Sequence, residues 1–297
     1  MKEKDKRFIV TDIFLIVLAV LPIVFGIVLY ILTKPPADGI EITGARIYFT
    51  INTLIQPLPI TESQVNSWLV MLSIFWLCLF ITHGIKERPD SKRQHLAEWI
   101  VEKTEELVKS NMGEFFGGFA PFIAAIMGLS AFSSLITLFG LYPPTSDLNV
   151  VGGWALAVFI LITHYKMKCG FPHYLKSFAD PPLLAPINVI SEISTPISMA
   201  FRHYGNVLSG TVISVLVAAG LGGLSSMLLG WLPGALGDIP FLRIGIPAIL
   251  SVYFDIFSGC LQAFIFAMLT MLYVSNGFPA DDYQKYLARK KERKKTA

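Results

Sequence analysis

Six stretches of the chain are dominated by apolar residues and are separated by segments that are polar, charged or rich in proline and glycine. A run of about 18 or more apolar residues is long enough to cross a membrane as a helix. The runs cover residues 8–32, 66–85, 118–141, 150–168, about 187–231 and 241–276. The pattern therefore predicts six membrane-spanning helices.

The fifth run is much longer than a membrane crossing requires. As a single helix, residues 187–231 would extend about 67 Å, whereas the hydrocarbon core of a bilayer is about 30 Å thick. An unbroken helix of this length would have to tilt steeply, by about 60° from the membrane normal, and to lie against another protein surface. The alternative is a helix broken near Pro196 or Gly205, since membrane helices tolerate both residue types.

The last two runs are expected to form a helical hairpin. The segment between them, GWLPGALGDIP (230–240), contains the proline and glycines of a turn. Antiparallel pairing about this turn would place Arg202 at the level of Gln262, and Asp255 at the level of Thr211. The predicted fold is thus an all-α integral membrane protein in which the last two helices form a long, strongly tilted hairpin.

Composition and charge support the membrane interpretation and orient the helices. Hydrophobic residues make up 54% of the 297 residues and charged ones 15%, against about 25% charged in a typical soluble domain. Basic residues accumulate on the cytoplasmic face of membrane proteins. Of the 24 Lys and Arg residues, 20 lie in four segments that share one face if each run crosses once: 2–7, 86–117, 166–186 and 285–295. Both termini are therefore expected in the cytoplasm.

Two segments outside the apolar runs have patterns of their own. Segment 86–117 has a helical period that places Leu96, Ile100 and Leu107 on one side, with charges opposite. We expect it to form an amphipathic helix along the cytoplasmic interface. Segment 40–65 is mixed in character and interrupted by prolines, and we expect it to lie at the outer surface.

Both helices of the predicted hairpin carry polar residues at three- or four-residue spacing, which forms a stripe along one side of a helix. The stripes comprise Glu192, Thr195, Ser198, Arg202, Asn206 and Ser209 on the first helix, and Ser251, Asp255, Ser258 and Gln262 on the second. A guanidinium stays charged at physiological pH, and a charge in hydrocarbon costs at least about 2.5–3.5 kcal/mol.

Ionisable groups inside a membrane mark ion pathways, and this is the interpretation we favour for Arg202. Two structural alternatives stay open. Asp255 or Glu192 could neutralise Arg202 in an ion pair that only holds helices together. Asp255 could also act solely as a hydrogen-bonding group between helices.

No catalytic or metal-binding motif is evident. His164, Cys169 and His173 span a Gly-Phe-Pro turn and lack a fourth ligand for zinc, so we expect no metal site and no cofactor. An intramembrane hydrolase would need a nucleophile, such as Ser258 or Cys260, and a histidine base, but we expect no histidine in the core of either polar helix. A secondary ion-coupled transporter is the alternative function, although such proteins are typically built from repeats that we do not detect here.

Four stretches resemble a known family. They are PPTSDLNVVGGWALAVFI (143–160), SEISTPISMAFRHYGNVLSG (191–210), FDIFSGCLQAFIFAMLTMLYVS (254–275) and RPDSKRQHLAEWI (88–100). These motifs are similar to those of subunit a of the F-type ATP synthase, the stator of its membrane sector, over about residues 66–276. One departure is Thr211, where many members carry Glu or His. Asp255 would supply a carboxylate at the same level on the facing helix.

The resemblance implies a function and roles for the polar residues. The chain would pass ions, protons in the first place, through two half-channels beside a rotating ring of c subunits, and would not itself be an enzyme. Arg202 would favour the ionised form of each passing ring carboxylate and block leakage between the half-channels. The residues implied in ion translocation are Asp255, Thr211, Asn206 and Gln262 together with Arg202, and Glu192 and Ser191 on the cytoplasmic side.

The resemblance also divides the chain into three parts. Residues 1–65 would add a membrane helix and an outer segment to the family's usual five crossings. Residues 66–280 would form the ion-translocating core, and 281–297 a basic cytoplasmic tail. The implied partners are the c-ring, the peripheral-stalk b subunits, the rest of the ATP synthase and the lipid bilayer, with no nucleic acid. The expected location is the bacterial plasma membrane.

The predicted topology can be tested with reporter fusions. We expect reporters fused before Phe8 and after Ala297 both to report the cytoplasm, because six crossings return the chain to the face from which it started. A reporter inserted at Lys34 serves as the control and should report the outside. Terminal reporters on opposite sides would show that run 8–32 does not span the membrane.

Overall fold

The protein is described by a computed structural model over residues 2–33, 44–53, 56–87, 91–178, 182–229, 241–279 and 283. Its helices are α1 (Lys2–Thr33), α2 (Glu62–Thr82), α3 (Lys92–Met112), α4 (Ala120–Leu135), α5 (Leu148–Lys166), α6 (Phe171–Phe178), α7 (Ala185–Leu229), α8 (Phe241–Ser251) and α9 (Gly259–Gly277). Within these described residues, six helical stretches are long and apolar enough to cross a membrane, as predicted. The expected turn at 230–240 and, apart from Tyr283, the expected basic tail at 281–297 lie outside the described residues.

Helix α7 is continuous over 45 residues, Ala185–Leu229. The alternative of a break near Pro196 or Gly205 is therefore wrong, since Pro196 lies inside the helix. A proline removes one backbone hydrogen bond, which membrane helices accommodate when neighbouring groups satisfy the freed carbonyl. At 1.5 Å per residue α7 is about 67 Å long, more than twice the thickness of the hydrocarbon core. The predicted steep tilt rests on this length.

The core of the molecule is a bundle in which α3, α4, α5, α7 and α9 share one cluster of buried side chains. Helix α5 contributes one face at three- and four-residue spacing, as its buried positions show. In a membrane the lipid is as apolar as the core, so this bundle is held mainly by close packing. Members of the cluster with almost no exposed surface are Val108, Ile123, Val151, Val158, Phe266 and Met271.

An ion-pair cluster holds α1 against the following helices. Asp12 of α1 lies 2.9 Å from Nη1 of Arg93 and 2.9 Å from Nδ1 of His83. Arg93 also donates a hydrogen bond to the backbone carbonyl of His83. The ring of Phe8 stacks on that of His83, with centroids 4.6 Å apart. These contacts join α1 to the end of α2 and the start of α3.

A two-stranded antiparallel hairpin was not predicted. It consists of β1 (Ile47–Asn52) and β2 (Pro57–Thr61). The alternating sequence IYFTIN suits a strand, but the two prolines of PLPIT argue against one, since proline cannot donate to a ladder. Both strands of a two-stranded sheet are edge strands, which is why the prolines are tolerated.

Helix α3 forms in the predicted amphipathic segment, but it packs by a different face. Ser91 caps it by accepting a hydrogen bond from the backbone N–H of Gln94 at 3.2 Å. The side chains that it buries in the bundle are Gln94, Thr104, Val108 and Met112. The predicted apolar stripe is largely exposed at Leu96 and Ile100. The stripe is thus available to an interface with lipid, while the polar Gln94 and Thr104 face protein.

The loop between α4 and α5 is fastened to the start of α2. Asn66 donates a hydrogen bond from Nδ2 to the carbonyl of Tyr142 at 2.8 Å, and Ser63 donates one to the carboxylate of Asp147. Asp147 in turn caps α5 by accepting from the backbone N–H of Asn149 at 2.9 Å. This network fixes Tyr142 and its neighbours beside α7.

Candidate functional site

Arg202 lies near the middle of α7 on a face that the bundle leaves open. Its side chain is exposed in the isolated chain, and Arg202 forms no ion pair with any residue in the described ranges. Glu192, one of the two carboxylates considered as its structural partner, is paired with Lys166 of α5 instead. The open face carries large apolar side chains on either side of Arg202, including Ile197, Phe201 and Leu216.

One turn beyond Arg202, a polar network joins α7 to the last helix. Asn206 donates a hydrogen bond from Nδ2 to Oε1 of Gln262 at 3.4 Å. Ser258 donates one to Oδ1 of Asn206 at 3.2 Å. Gln262 is only 3% exposed, so this network satisfies a buried amide that would otherwise cost about 1–3 kcal/mol. Together with the packing of Phe254 on Gly210, these contacts show that α7 and the last helical run are antiparallel. Gln262 contacts Asn206, one turn from the level of Arg202 at which it was predicted.

Asp255 lies in a π-helical segment, Val252–Ser258, between α8 and α9. Such segments widen a helix locally and often occur at functional sites. Phe254 of the same segment packs against Gly210 of α7, where an added β-carbon would lie 3.0 Å from its ring. No periodic pattern predicted this distortion, because the polar residues of run 241–276 follow regular helical spacing.

Asp255 and Thr211 line the same small cavity, together with Asn206 and Ser258. This matches the level at which the hairpin register placed Asp255 and Thr211. The cavity has a volume of about 20 Å³, enough for a single water molecule. Thr137 and Pro143, from the end of α4 and the following loop, complete its wall.

A larger cavity of about 410 Å³ adjoins the small one and shares Thr137, Pro143 and Thr211 with it. Its other walls come from α1, the segment before β1, the start of α2 and the loop between α4 and α5. The polar residues among them include Tyr30, Arg46, Glu62, Tyr142 and Ser146. The two cavities together reach from the α4–α5 loop to the Asn206–Ser258 network.

A separate pair of cavities lies at the other end of α7. The larger, of about 470 Å³, is lined by Ser191 and Glu192 and by residues of α6 such as Tyr174. The smaller, of about 140 Å³, adds Thr195 and shares Lys166 and Glu192. Glu192 is ten residues before Arg202, which corresponds to about 15 Å along the helix axis.

The structure therefore divides the predicted site residues into three positions along α7. Ser191 and Glu192 line cavities on the N-terminal side of Arg202, and Thr211 and Asp255 line a cavity on its C-terminal side. Arg202 lies between these groups, and it does not line any of the four cavities just described. Nine residues separate Arg202 from Thr211, about 13 Å along the axis.

The expectation that no histidine lies in the core of either polar helix was wrong. His203, directly after Arg202, is completely buried. Its Nε2 lies 3.3 Å from Oγ of Ser130, and its ring makes edge contacts with Trp154 and Phe266, with centroids 5.9 and 5.5 Å away. Because neighbouring residues on a helix point in different directions, this anchor turns Arg202 towards the open face. In the sequence, the only indication of a role for His203 was its position directly after Arg202.

Comparison with known proteins identifies the family of this chain. The model described as ATP synthase A chain matches residues 64–275. The chain belongs to this family. It is 31% identical over 226 residues to ATP synthase subunit a 1 of Crocosphaera subtropica, covering 75% of this chain and 89% of the relative.

Other members of the ATP synthase A chain family show similar coverage. Subunit a of Macrococcus caseolyticus is 30% identical over 259 residues, which is 82% of this chain and 96% of the relative. Subunit a of Legionella pneumophila is 28% identical over 228 residues, with coverages of 76% and 90%. The resemblance inferred from four motifs is thereby confirmed, and membership supports an ion-translocating role in the membrane sector Fo. All seven predicted site residues lie within the matched range, whereas α1 and the β-hairpin precede it.

The close approach of α9 to α4 beside Asp255 yields a prediction. A β-carbon on Gly259 would lie 2.5 Å from Cβ of Ser134 and 2.9 Å from its Oγ. Gly259→Ala should therefore force α9 and α4 apart and destabilise the protein by about 1–3 kcal/mol, the usual range for overpacking. Thermal unfolding of the detergent-solubilised protein measures this loss.

Two further variants separate the clash from a general intolerance of alanine. Gly128→Ala on α4 should have little effect, because an added β-carbon there meets nothing within 4 Å. Combining Gly259→Ala with Ser134→Gly removes the clashing atoms and should restore most of the stability. Unchanged stability in Gly259→Ala alone would contradict this packing.

Proposed function

We propose that this chain is the ion-translocating stator subunit of an F-type ATP synthase, passing protons through two offset half-channels beside a rotating ring of c subunits. The observation that carries the proposal is the arrangement along α7, where two groups of polar cavities are separated by Arg202. A continuous water path would let protons leak across the membrane. Two cavities separated by a fixed cation instead require a mobile group that carries protons from one cavity to the other.

The open face of α7 supports the proposed position of the ring. It presents apolar side chains such as Ile197, Phe201 and Leu216 around the exposed Arg202. A guanidinium facing lipid would cost several kcal/mol, and a ring carboxylate at the same depth would offset this cost. The ring partner is therefore a small apolar protein with one intramembrane carboxylate per subunit.

The proposed cycle assigns one step each to Asp255, to Arg202 and to the cavity lined by Ser191 and Glu192. During synthesis a proton passes from the outer cavities, through Asp255, to a ring carboxylate that has just left Arg202. The neutral carboxylic acid can then face lipid while the ring turns. When the carboxylate returns from the other side, Arg202 favours its ionised form, and the proton leaves through the cavity lined by Ser191 and Glu192. One charge crossing 100 mV yields about 2.3 kcal/mol, so several protons are needed for each ATP made elsewhere in the complex.

The same proposal specifies the membrane, the orientation and the partners of the chain. It is a multi-pass membrane protein, and we place it in the bacterial plasma membrane with both termini in the cytoplasm. The outer half-channel then opens at the α4–α5 loop and the inner one at α6. Besides the c-ring, the chain contacts the peripheral-stalk b subunits, and it contributes no catalytic group to ATP formation.

The first test replaces Arg202 by lysine. We expect Arg202→Lys to abolish proton-driven ATP synthesis in membrane vesicles, because a lysine can lose its proton when desolvated and lacks the planar guanidinium. The amount of assembled complex is the control and should be unchanged. Wild-type synthesis in Arg202→Lys would refute the proposed role, as would purification of the chain without a carboxylate-bearing ring protein.

The second test concerns Asp255. Asp255→Asn keeps the size of the side chain but removes its exchangeable proton, so we expect proton flux to fall about 100-fold. Thr211 lines the same cavity, and the double change Asp255→Asn with Thr211→Glu should recover part of the lost rate. Asp255→Asn combined with Thr211→Gln, which has the size of glutamate but no acid, is the matched control and should recover nothing.

A solely structural role for Asp255 predicts a different result. Asp255→Asn would then lower the amount of assembled complex or make the membrane leaky, and a glutamate at 211 would not help. Proton flux is therefore scored beside the assembled complex in every variant. Full flux in Asp255→Asn would exclude the relay.

A further inference from the structure

The part of the chain that precedes the family match builds one wall of the outer cavity. Tyr30 of α1, Arg46 before β1 and Glu62 at the start of α2 all line the 410 Å³ space, and all three precede residue 64. The backbone N–H of Glu62 donates to the carbonyl of Arg46 at 2.7 Å. The guanidinium of Arg46 lies over the ring of Tyr30, 4.8 Å from its centroid.

Glu62 is a buried acid with unused hydrogen-bonding capacity. The residue is 2% exposed, and its Oε2 lies 3.8 Å from Nε of Arg46. Its other carboxylate oxygen, Oε1, has no hydrogen-bond partner among the described residues, and the same holds for Nη1 of Arg46 and Oγ of Ser146. Unsatisfied buried polar atoms are costly unless water reaches them, and all three residues line a cavity roomy enough for several waters.

The two tyrosines near Glu62, Tyr48 and Tyr142, do not compete with it for protons. Burial raises the pKa of both Tyr48 and Tyr142, and the negative charge of nearby carboxylates adds to the increase. Both phenols are therefore neutral at physiological pH. Asp147 is occupied by the hydrogen bond from Ser63. Arg46 is the cation beside Glu62, with its Nε 3.8 Å from Oε2 of the carboxylate.

We propose that Glu62 is the outermost proton acceptor of the outer half-channel, paired with Arg46 and connected to Asp255 through the shared wall at Thr211. A hydronium ion at the outer face gives its proton to the Glu62 carboxylate and becomes water. The carboxylic acid then gives the proton to water in the cavity, which delivers it to the Asp255 carboxylate, and Glu62 is ionised again. This inference rests on the proposed function, and it assigns to residues outside the family match a role in supplying protons.

The proposal is tested by the pH dependence of transport. The purified complex is reconstituted in liposomes with its ATP-forming side outward, so that the lumen corresponds to the outer face. Synthesis is driven at a constant membrane potential while the lumen is set from about pH 5.5 to about pH 8. We expect Glu62→Gln to lose about tenfold relative to wild type at the high-pH end, where protons are scarce, and little at the low-pH end.

Control variants define what the result means. Glu105→Gln removes a carboxylate from an exposed position on α3 and should match wild type at every lumen pH. Glu62→Asp keeps the acid but shortens it, and should show an intermediate loss with the same dependence on lumen pH. An equal loss in Glu62→Gln at every pH would indicate that the Arg46 pair only holds the hairpin to α2, and would overturn the proposal.

Failure to assemble is also decisive. If neither Glu62→Gln nor Glu62→Asp assembles, Glu62 is a structural residue and the proposal is overturned. Arg202→Lys is measured in the same liposomes to separate this inference from the function on which it rests. Abolished synthesis in Arg202→Lys with unchanged synthesis in Glu62→Gln would reject the proton acceptor alone, whereas unchanged synthesis in both would reject the proposed function.

Discussion

The architecture depends on one unbroken helix that is much longer than the membrane is thick. Because α7 runs for 45 residues without interruption, a single element carries the residues of both cavity groups and the arginine between them. Their separation is then fixed by the helix rise of 1.5 Å per residue, with no loop in between to vary it. The bundle of α4, α5 and α9 supports this helix from one side, and the other side is left open at the depth where the charge lies.

The polar groups near Arg202 are organised so that its direction is constrained while its charge stays available. His203 is fixed on the buried side by Ser130, Trp154 and Phe266, and Asn206 is tied to the last helix. These contacts hold the helix segment that directly follows the arginine. A preorganised cation needs little rearrangement when a carboxylate arrives, which is how fixed protein charges act most strongly.

Sequence patterns predicted the features that depend on length, composition and spacing. The six spans, the continuous α7 and the common level of Thr211 and Asp255 all follow from apolar runs and helical periods. The π segment around Asp255 could not be predicted in this way, since the close contacts beside it, Phe254 with Gly210 and Gly259 with Ser134, join residues that are distant in the sequence. The buried face of α3 was also missed, because Gln94 and Thr104 are polar and are buried for their hydrogen bonds. Arg46 and Glu62 are isolated charges in the sequence, and only the fold brings them to one cavity.

The ion-pair cluster that holds α1 also constrains the order in which the helices assemble. Asp12 and Arg93 are 81 residues apart, and a ribosome adds about 5–20 residues per second. Asp12 is thus synthesised about 4–16 s before its arginine. During this interval the Asp12 carboxylate lacks the partner on α3 with which it pairs in the folded chain. The contacts that hold α1 can form only after α3 has been synthesised, although α1 is the first helix to be made.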